Sequence, residues 1–405
     1  MSPLNGDPPP PVAHRARLGA RDLFPDLAWR VYANHAAISP PSLAVRAAVD
    51  AAMGDYAAHG VGAFGRWNAQ RRRLKVLLAS LMGRAPEDLA LLPNTTSALS
   101  AVAMCFPWRA GDGVAVFEGE FPTNVTPWQR AAEAFDLRLV TLRVADLARP
   151  GGADLGPLAA ALRGGLRLVA ISAVQFQTGL VAPLREMADL CHAHGAEICV
   201  DAIQAVGVMP FDARDLDYVA CGGHKWLMGL EGLGFLAVHP DRVAALRPRL
   251  AGWLSHESPI DFLFESDKLR YDKPIRARAD FLEGGAPNTV GAAALEASVG
   301  LIAQIGVPAI FTHVTAWNDQ LEAGLTARGF TSLRTPDAGR RSGILGVRPP
   351  APWTVAGFAA SLSRRGVACT TPDGVLRFAP HWPNALDEVP VVVDAVAECL
   401  RDPPA

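Results

Sequence analysis

The residues best placed to do chemistry lie in DYVACGGHKWLMGLEGLGFLAV, Asp217 to Val238. An apolar strand ends there at a glycine pair, His224 and Lys225 follow, and a glycine-rich turn leads to another short strand. A lysine amine acts as a nucleophile near neutral pH only when it is held out of bulk water beside cationic or electrophilic groups. A lysine that closes a buried strand inside a glycine-rich crevice meets that condition, although most lysines are solvated surface groups.

Two further elements give the lysine a partner. EICVDAIQAVG places Asp201 at the carboxyl end of a β-branched strand, with Gln204 shortly after it. A carboxylate there can pair with a protonated pyridine nitrogen and make the ring an electron sink. The plain alternative for Asp201 is a helix N-cap. Gln204 is positioned to reach a phenolic oxygen on the same ring. LPNTTSALS then reads as strand, hydroxyl-rich turn and helix, so unpaired N–H groups, the helix dipole and the hydroxyls of Thr95, Thr96 and Ser97 form an anion site. A phosphate turn, a carboxylate for a pyridine and a nucleophilic lysine, in this order along the chain, predict pyridoxal 5'-phosphate (PLP) held by Lys225 as a Schiff base. Lys225, His224 and Asp201 are then the expected catalytic residues.

These residues need a frame, and the chain alternates strand and helix patterns to supply one. DLALLP, DGVAVFEG, LRLVTLRV, LRLVAISAV, AEICVDAIQ, LDYVACGG and LGFLAV read as strands separated by amphipathic helices. Near-continuous apolar strands of this kind predict an α/β fold with a mostly parallel sheet covered on both faces. Ligands in such sheets bind beyond the carboxyl ends of the strands. The expected organisation is an N-terminal arm at 1–28, a large PLP-binding domain at 29–290 and a smaller α+β domain at 291–405. Between Leu254 and Asp280 the pattern breaks into a long charged and aromatic stretch, a length of loop that is usually functional.

Composition narrows the partners. The 405 residues are 50% hydrophobic with a net charge of −2, so nothing draws the chain to nucleic acid or an anionic membrane. The N-terminus carries a proline run where a signal peptide needs an apolar core, and no stretch approaches membrane-spanning length. Cys105, Cys191, Cys199, Cys221, Cys369 and Cys399 lack disulfide or zinc spacing, which fits a reducing cytoplasm. Cys191, His192 and His194 crowd together, but they close a helix where histidine suits the dipole, so no metal is expected.

The ordered motifs YANHAAISPPS, the Thr-Thr-Ser turn, EGEFPTNVTPW, SAVQFQTG, the Asp201–Gln204 pair, GGHKWL, FLEGGAPN and GVLRFAPHWPN resemble the class V aminotransferase family of fold-type I PLP enzymes over roughly 32–391. That family includes cysteine desulfurases and isopenicillin N epimerase-like enzymes. The resemblance implies that Phe121 stacks on the pyridine face and that Arg377 grips the substrate α-carboxylate. It places Asn34 and His35 near the substrate, His35 having the alternative role of pinning the arm. It further implies a homodimer, in which 283–288, including Asn288, reaches the neighbouring subunit's phosphate. Two positions depart from the family pattern. Gly285-Ala286-Pro287-Asn288 lacks the threonine of the usual G-T-P-N, and Gly222 stands where a phosphate-binding serine is common.

The surroundings of PLP choose which bond breaks. Transaminase, epimerase-like and C–S lyase-like chemistry on an amino acid remain open, with Lys225 as the default base. A desulfurase using Cys369 is the alternative. It is weakened because Phe121 replaces a proton-moving histidine and because Cys369 reads as a small buried hydrophobe. A non-catalytic PLP-binding regulator is the other alternative, disfavoured by the joint presence of Lys225, Asp201 and Arg377.

Overall fold

The computed structural model describes residues 14–149 and 151–402. Of the expected N-terminal arm, 1–13 lie outside the described residues, as does the proline run. Residues 14–28 drape over the surface and are fastened there: Leu23 and Phe24 are buried, and the Phe24 ring lies 5.5 Å from that of Trp382.

The strands, in chain order, are β1 (Val31–Tyr32), β2 (Leu89–Leu92), β3 (Gly113–Glu118), β4 (Arg138–Arg143), β5 (Leu166–Ser172), β6 (Glu197–Asp201), β7 (Tyr218–Gly222), β8 (Gly234–Val238), β9 (Thr331–Ser332), β10 (Leu345–Arg348), β11 (Val367–Ala368) and β12 (Leu376–Phe378). Seven of them form the central sheet in the order β2-β8-β7-β6-β5-β3-β4. Only β8 runs against its neighbours β2 and β7; the other pairings are parallel. The fold is therefore the expected α/β scaffold with a mostly parallel sheet.

Side chains alternate across the sheet, as the pleat demands. Val169 and Ile171 of β5 and Val200 of β6 face one core, against Leu74 and Leu78 of helix α2 (Phe64–Ser80). Leu168, Ala170 and Cys199 face a second core, which is closed by helix α3 (Thr95–Cys105) and Trp128. Both faces are covered, which is why the strands read as unbroken apolar runs.

The smaller C-terminal sheet has the order β12-β10-β9 and gathers a third core around Trp317, Phe358 and Phe378. Val31 and Ala33 pack into this third core, and β1 pairs in parallel with β11. The helix Thr289–Ile305 begins beside the boundary expected at 290, and its Ala292, Leu295 and Val299 join the first core with α2.

Parallel order places the carboxyl ends of β2, β3, β5, β6 and β7 along one edge. Two loops there approach at van der Waals distance, and Gly207 permits it. Its φ is +104°, and a Cβ on it would lie 2.5 Å from the Trp226 carbonyl oxygen. Gly207→Ala therefore strains the backbone and separates the loop after β6 from the segment after β7. It should cost at least about 1 kcal/mol, read as a lower Tm in the apoprotein together with weaker retention of PLP.

Candidate active site

A cavity of about 370 Å³ opens at this edge of the sheet. Asp201 closes β6 and Lys225 follows β7; both line the cavity together with Arg377, which arrives on β12 from the C-terminal sheet. Asp201 Oδ1 accepts from the Ile203 N–H at 3.0 Å, which keeps the carboxylate at the strand end. Its burial pushes the acid up to about 6, offset in part by that N–H and by Lys225. Lys225 is pushed the other way, down to about 8, first by burial and then by Arg377, while Asp201 pulls it up. Burial alone brings Arg377 down to about 10, which leaves it a cation at physiological pH.

The backbone around the lysine is locked from three sides. The Trp226 indole donates to Gln204 Oε1 at 2.7 Å, and the Trp226 carbonyl accepts from His381 Nε2 at 2.8 Å. Ser39 Oγ donates to the Lys225 carbonyl at 2.6 Å and lies 2.7 Å from His35 Nδ1. Because the hydroxyl hydrogen goes to Lys225, His35 Nδ1 carries a proton and donates to Ser39. His35 is 1% exposed and does not line the cavity. Through Ser39 it pins the segment before α1 (Leu43–His59) to the lysine backbone. Asn34 also stays off the cavity, its backbone bridged to Ala379, and Ala36 and Ala37 form the wall instead.

The opposite end of the cavity is polar. Asn94, Thr95, Thr96, Thr123 and His224 line it at the N-terminus of α3. Asn94 is the helix cap, its Oδ1 accepting from Ser97 N at 2.8 Å, which leaves Ser97 as the third residue of the helix and outside the lining. Thr96 Oγ1 lies 2.9 Å from Thr123 Oγ1. Thr95 Oγ1 is buried with no hydrogen-bond partner among the described residues. A Cβ on Gly222 would stand 3.1 Å from that hydroxyl and 3.3 Å from His224 Nδ1, so the bare glycine leaves both groups open to the cavity. An orphaned hydroxyl at a helix N-terminus is what a phosphate would satisfy. His224 is held below its usual pKa by burial and by Lys225, so it meets an anion as a neutral hydrogen-bonding group.

Gln204 spends its amide on two contacts, Oε1 to Trp226 and Nε2 to the Ala36 carbonyl at 3.1 Å, and keeps one N–H for the cavity. Phe121 is 45% exposed at the cavity mouth, with Lys225 Nζ 5.5 Å from its ring centroid. Asn288 is not part of this cavity. Its Oδ1 caps the helix Thr289–Ile305 by accepting from Gly291 N at 2.8 Å, and its Nδ2 donates to Gly232 O at 3.0 Å. At the start of the same loop Glu283 is bound to Arg71, to Lys75 at 2.6 Å and to Leu91 N at 2.9 Å of its own chain. His192 Nε2 lies 2.9 Å from Asp217 Oδ2.

Glu120 was not among the residues singled out by sequence. It accepts from Ser172 N at 2.8 Å and from the Ser172 hydroxyl, and Ser172 pairs in register with Asp201 across β5 and β6. A half-buried carboxylate two residues past β3, in EGEFPTN, was the available signal, but its partner lies two strands away in sequence.

The polar cradle, the shifted lysine and the strand-end carboxylate suit PLP, and the scaffold is that of fold-type I PLP enzymes. The chain belongs to the class V aminotransferase family, a PLP-dependent enzyme family, whose model matches residues 47–375. It is 26% identical over 322 residues to an uncharacterized aminotransferase, YcbU, of Bacillus subtilis, covering 79% of this chain and 81% of that one. It is 28% identical over 327 residues to isopenicillin N epimerase of Streptomyces clavuligerus, covering 79% and 82%. A cysteine desulfurase of Dickeya dadantii is 34% identical over 233 residues, covering 56% of this chain and 53% of its own. Among solved structures, the cystine C–S lyase C-DES superposes with a TM-score of 0.84 at 22% identity, over 93% of this chain and 99% of the other. The cysteine desulfurase CsdA of Escherichia coli gives 0.81 at 23%, over 94% and 97%. No single helix among the described residues is long and apolar enough to cross a membrane.

Burial holds the Glu120 carboxyl up at about 7 against the pull of its Ser172 hydrogen bonds. A carboxyl raised on folding binds its proton more tightly in the native state, so stability is lost as pH rises from about 4.5 through about 7. Glu120→Gln keeps both contacts to Ser172, its amide oxygen accepting from N–H and its NH₂ donating to the hydroxyl. The variant apoprotein should show a flatter Tm profile between pH 5 and 8, gaining a few °C at the alkaline end; an unchanged slope would leave Glu120 without a titrating role.

Proposed function

We propose that this protein acts on an α-amino acid through PLP held covalently at Lys225. The observation that carries the reading is the convergence of Lys225, Asp201 and Arg377 on one cavity from three separate elements. When bound, PLP supplies an electrophilic carbon for amines and a ring that draws charge from the substrate's α-carbon.

The chain's own groups divide the remaining work. Lys225, shifted to about 8, offers a neutral amine to a carbonyl carbon at accessible pH. Asp201 would hold the proton on the pyridine nitrogen, and with a pKa of about 6 it is ionised at neutral pH. Thr95, Thr96 and His224 would hold the phosphate, and the free N–H of Gln204 the phenolic oxygen. Phe121 would cover the ring. Arg377 donates Nη1 to the Phe176 carbonyl at 2.7 Å and Nε to Thr370 Oγ1 at 3.2 Å, which orients its guanidinium for the substrate carboxylate. Lys225 Nζ then takes and returns the proton at the substrate Cα, since Phe121 cannot move one.

A homodimer is supported by the irregular stretch expected between Leu254 and Asp280. It leaves Phe264, Leu269 and Tyr271 exposed, with Trp253 just before it, an apolar patch of the kind that marks a subunit contact. A reducing cytoplasmic setting is supported by six free cysteines.

Cys369 argues against a sulfur relay. It is absent from the cavity wall, and burial pushes its thiol up to about 12, so little thiolate forms at neutral pH. Two measurements test the proposal. Borohydride reduction of the holoenzyme should bleach its visible band and leave the label on the Lys225 peptide, whereas Lys225→Ala should give a colourless protein; a label elsewhere would sink the reading. Cys369→Ser should keep kcat/KM within about twofold of wild type, the range of a substitution that touches no special feature; loss of sulfide release from cysteine with PLP still bound would restore the desulfurase alternative.

A further inference from the structure

The cavity wall beside Arg377 is apolar and rigidly placed. Phe121 and Phe176 meet edge to face, with ring centroids 5.5 Å apart at 83°. Phe176 also carries the carbonyl that orients Arg377, so its ring stands at a set position from the guanidinium. The loop around it is held by Gln175, whose Oε1 accepts from Gln177 N and Thr178 N at 2.8 Å each and from Thr178 Oγ1 at 3.1 Å. Gln177 Nε2 then donates to Asp373 Oδ2 at 3.0 Å, which ties this loop to the one carrying Pro372. Val174, Phe176 and Pro372 line the cavity on this side and Ala36 and Ala37 line it as well.

The charged or titratable groups that line the cavity are Asp201, His224, Lys225 and Arg377. The function proposed above uses each of them, so among the described residues none is left to pair with a charge on a substrate side chain. An unpaired charge buried there would be strongly disfavoured, while an apolar group gains from the aromatic wall.

We infer that the substrate is an α-amino acid with an uncharged, apolar side chain of branched-aliphatic or aromatic size, and that Phe176 selects it. The inference rests on the amino-acid reading of the site. It differs from a preference for cysteine or cystine, because Val174, Phe176 and Pro372 present hydrocarbon to the substrate side chain beside Arg377.

The test uses the holoenzyme and the perturbation of its visible band by leucine, phenylalanine, alanine, aspartate, lysine, cysteine and cystine, with turnover measured for those that bind. Leucine or phenylalanine should exceed alanine in kcat/KM by roughly 10-fold or more, and aspartate and lysine should fall below alanine. Phe176→Ala should collapse the leucine-to-alanine ratio toward one, with the larger loss falling on leucine, since the ring is removed while the carbonyl that orients Arg377 is retained. Phe176→Leu should keep most of the ratio, and it serves if the alanine variant folds poorly. A preference for cysteine, cystine or a charged amino acid overturns the inference and leaves the amino-acid reading standing. An equal loss for every substrate in both variants also overturns it. Silence toward every amino acid, with Lys225 still labelled by borohydride, overturns the amino-acid reading and this inference with it.

Discussion

Everything at this site depends on keeping one lysine amine inside protein without giving it a full ion pair. Burial lowers Lys225 toward the neutral form, and Asp201 limits how far it falls. Such a balance survives only if the main chain on both sides of the lysine cannot shift, because a displacement toward solvent would restore an ordinary ammonium. The backbone anchors are correspondingly dense. Ser39 takes the Lys225 carbonyl and also donates its own N–H to the His224 carbonyl at 2.9 Å, while Trp226 is held by Gln204 and His381. The imidazoles that do this, His35 and His381, are themselves buried and kept neutral, so they add hydrogen bonds without adding charge.

The sheet accounts for the remainder of the arrangement. Carboxyl ends of parallel strands leave short loops on one edge, and the groups brought there come from positions remote in sequence: Thr95 after β2, Ser172 at the end of β5, Asp201 at the end of β6. The antiparallel β8 fills the gap between β2 and β7, which sets the polar cradle of α3 opposite the lysine. Arg377 completes the cavity from a separate sheet, so the site is divided between two cores and its walls depend on how loops from both are tied together.

Much of this was legible in the sequence, because strand-end residues announce themselves by apolar runs that stop. Lys225, Asp201, Gln204, Thr95 and Thr96 were found that way and line the cavity together. Arg377 and Phe121, inferred from resemblance, line it too. Ser97, Asn34 and His35 do not, and the reasons are local; Asn288, expected at a neighbouring subunit's phosphate, caps a helix of its own chain. A hydroxyl or amide near a helix start is chosen as cap or ligand by backbone geometry that spacing does not specify, and here Asn94 and Asn288 are the caps. Glu120 and Phe176 were missed because their significance lies in partners across the sheet, Ser172 and Arg377, which no local pattern reveals.

The pairing of β1 with β11 bears on when the site can exist. Val31 and Tyr32 find their partners in Val367 and Ala368, nearly the whole chain later, and the residues that follow β1 run directly to the wall of the cavity and to the Lys225 carbonyl. During synthesis the central sheet has all its strands long before β11 leaves the ribosome, yet the belt that seals the lysine has nothing to pair with until then. The apolar edge of Val31 and Ala33 therefore waits uncovered through most of translation. A nascent chain of this protein is a nearly complete scaffold with its reactive centre still unmade, and the amine turns chemically distinctive only at the last stage of assembly.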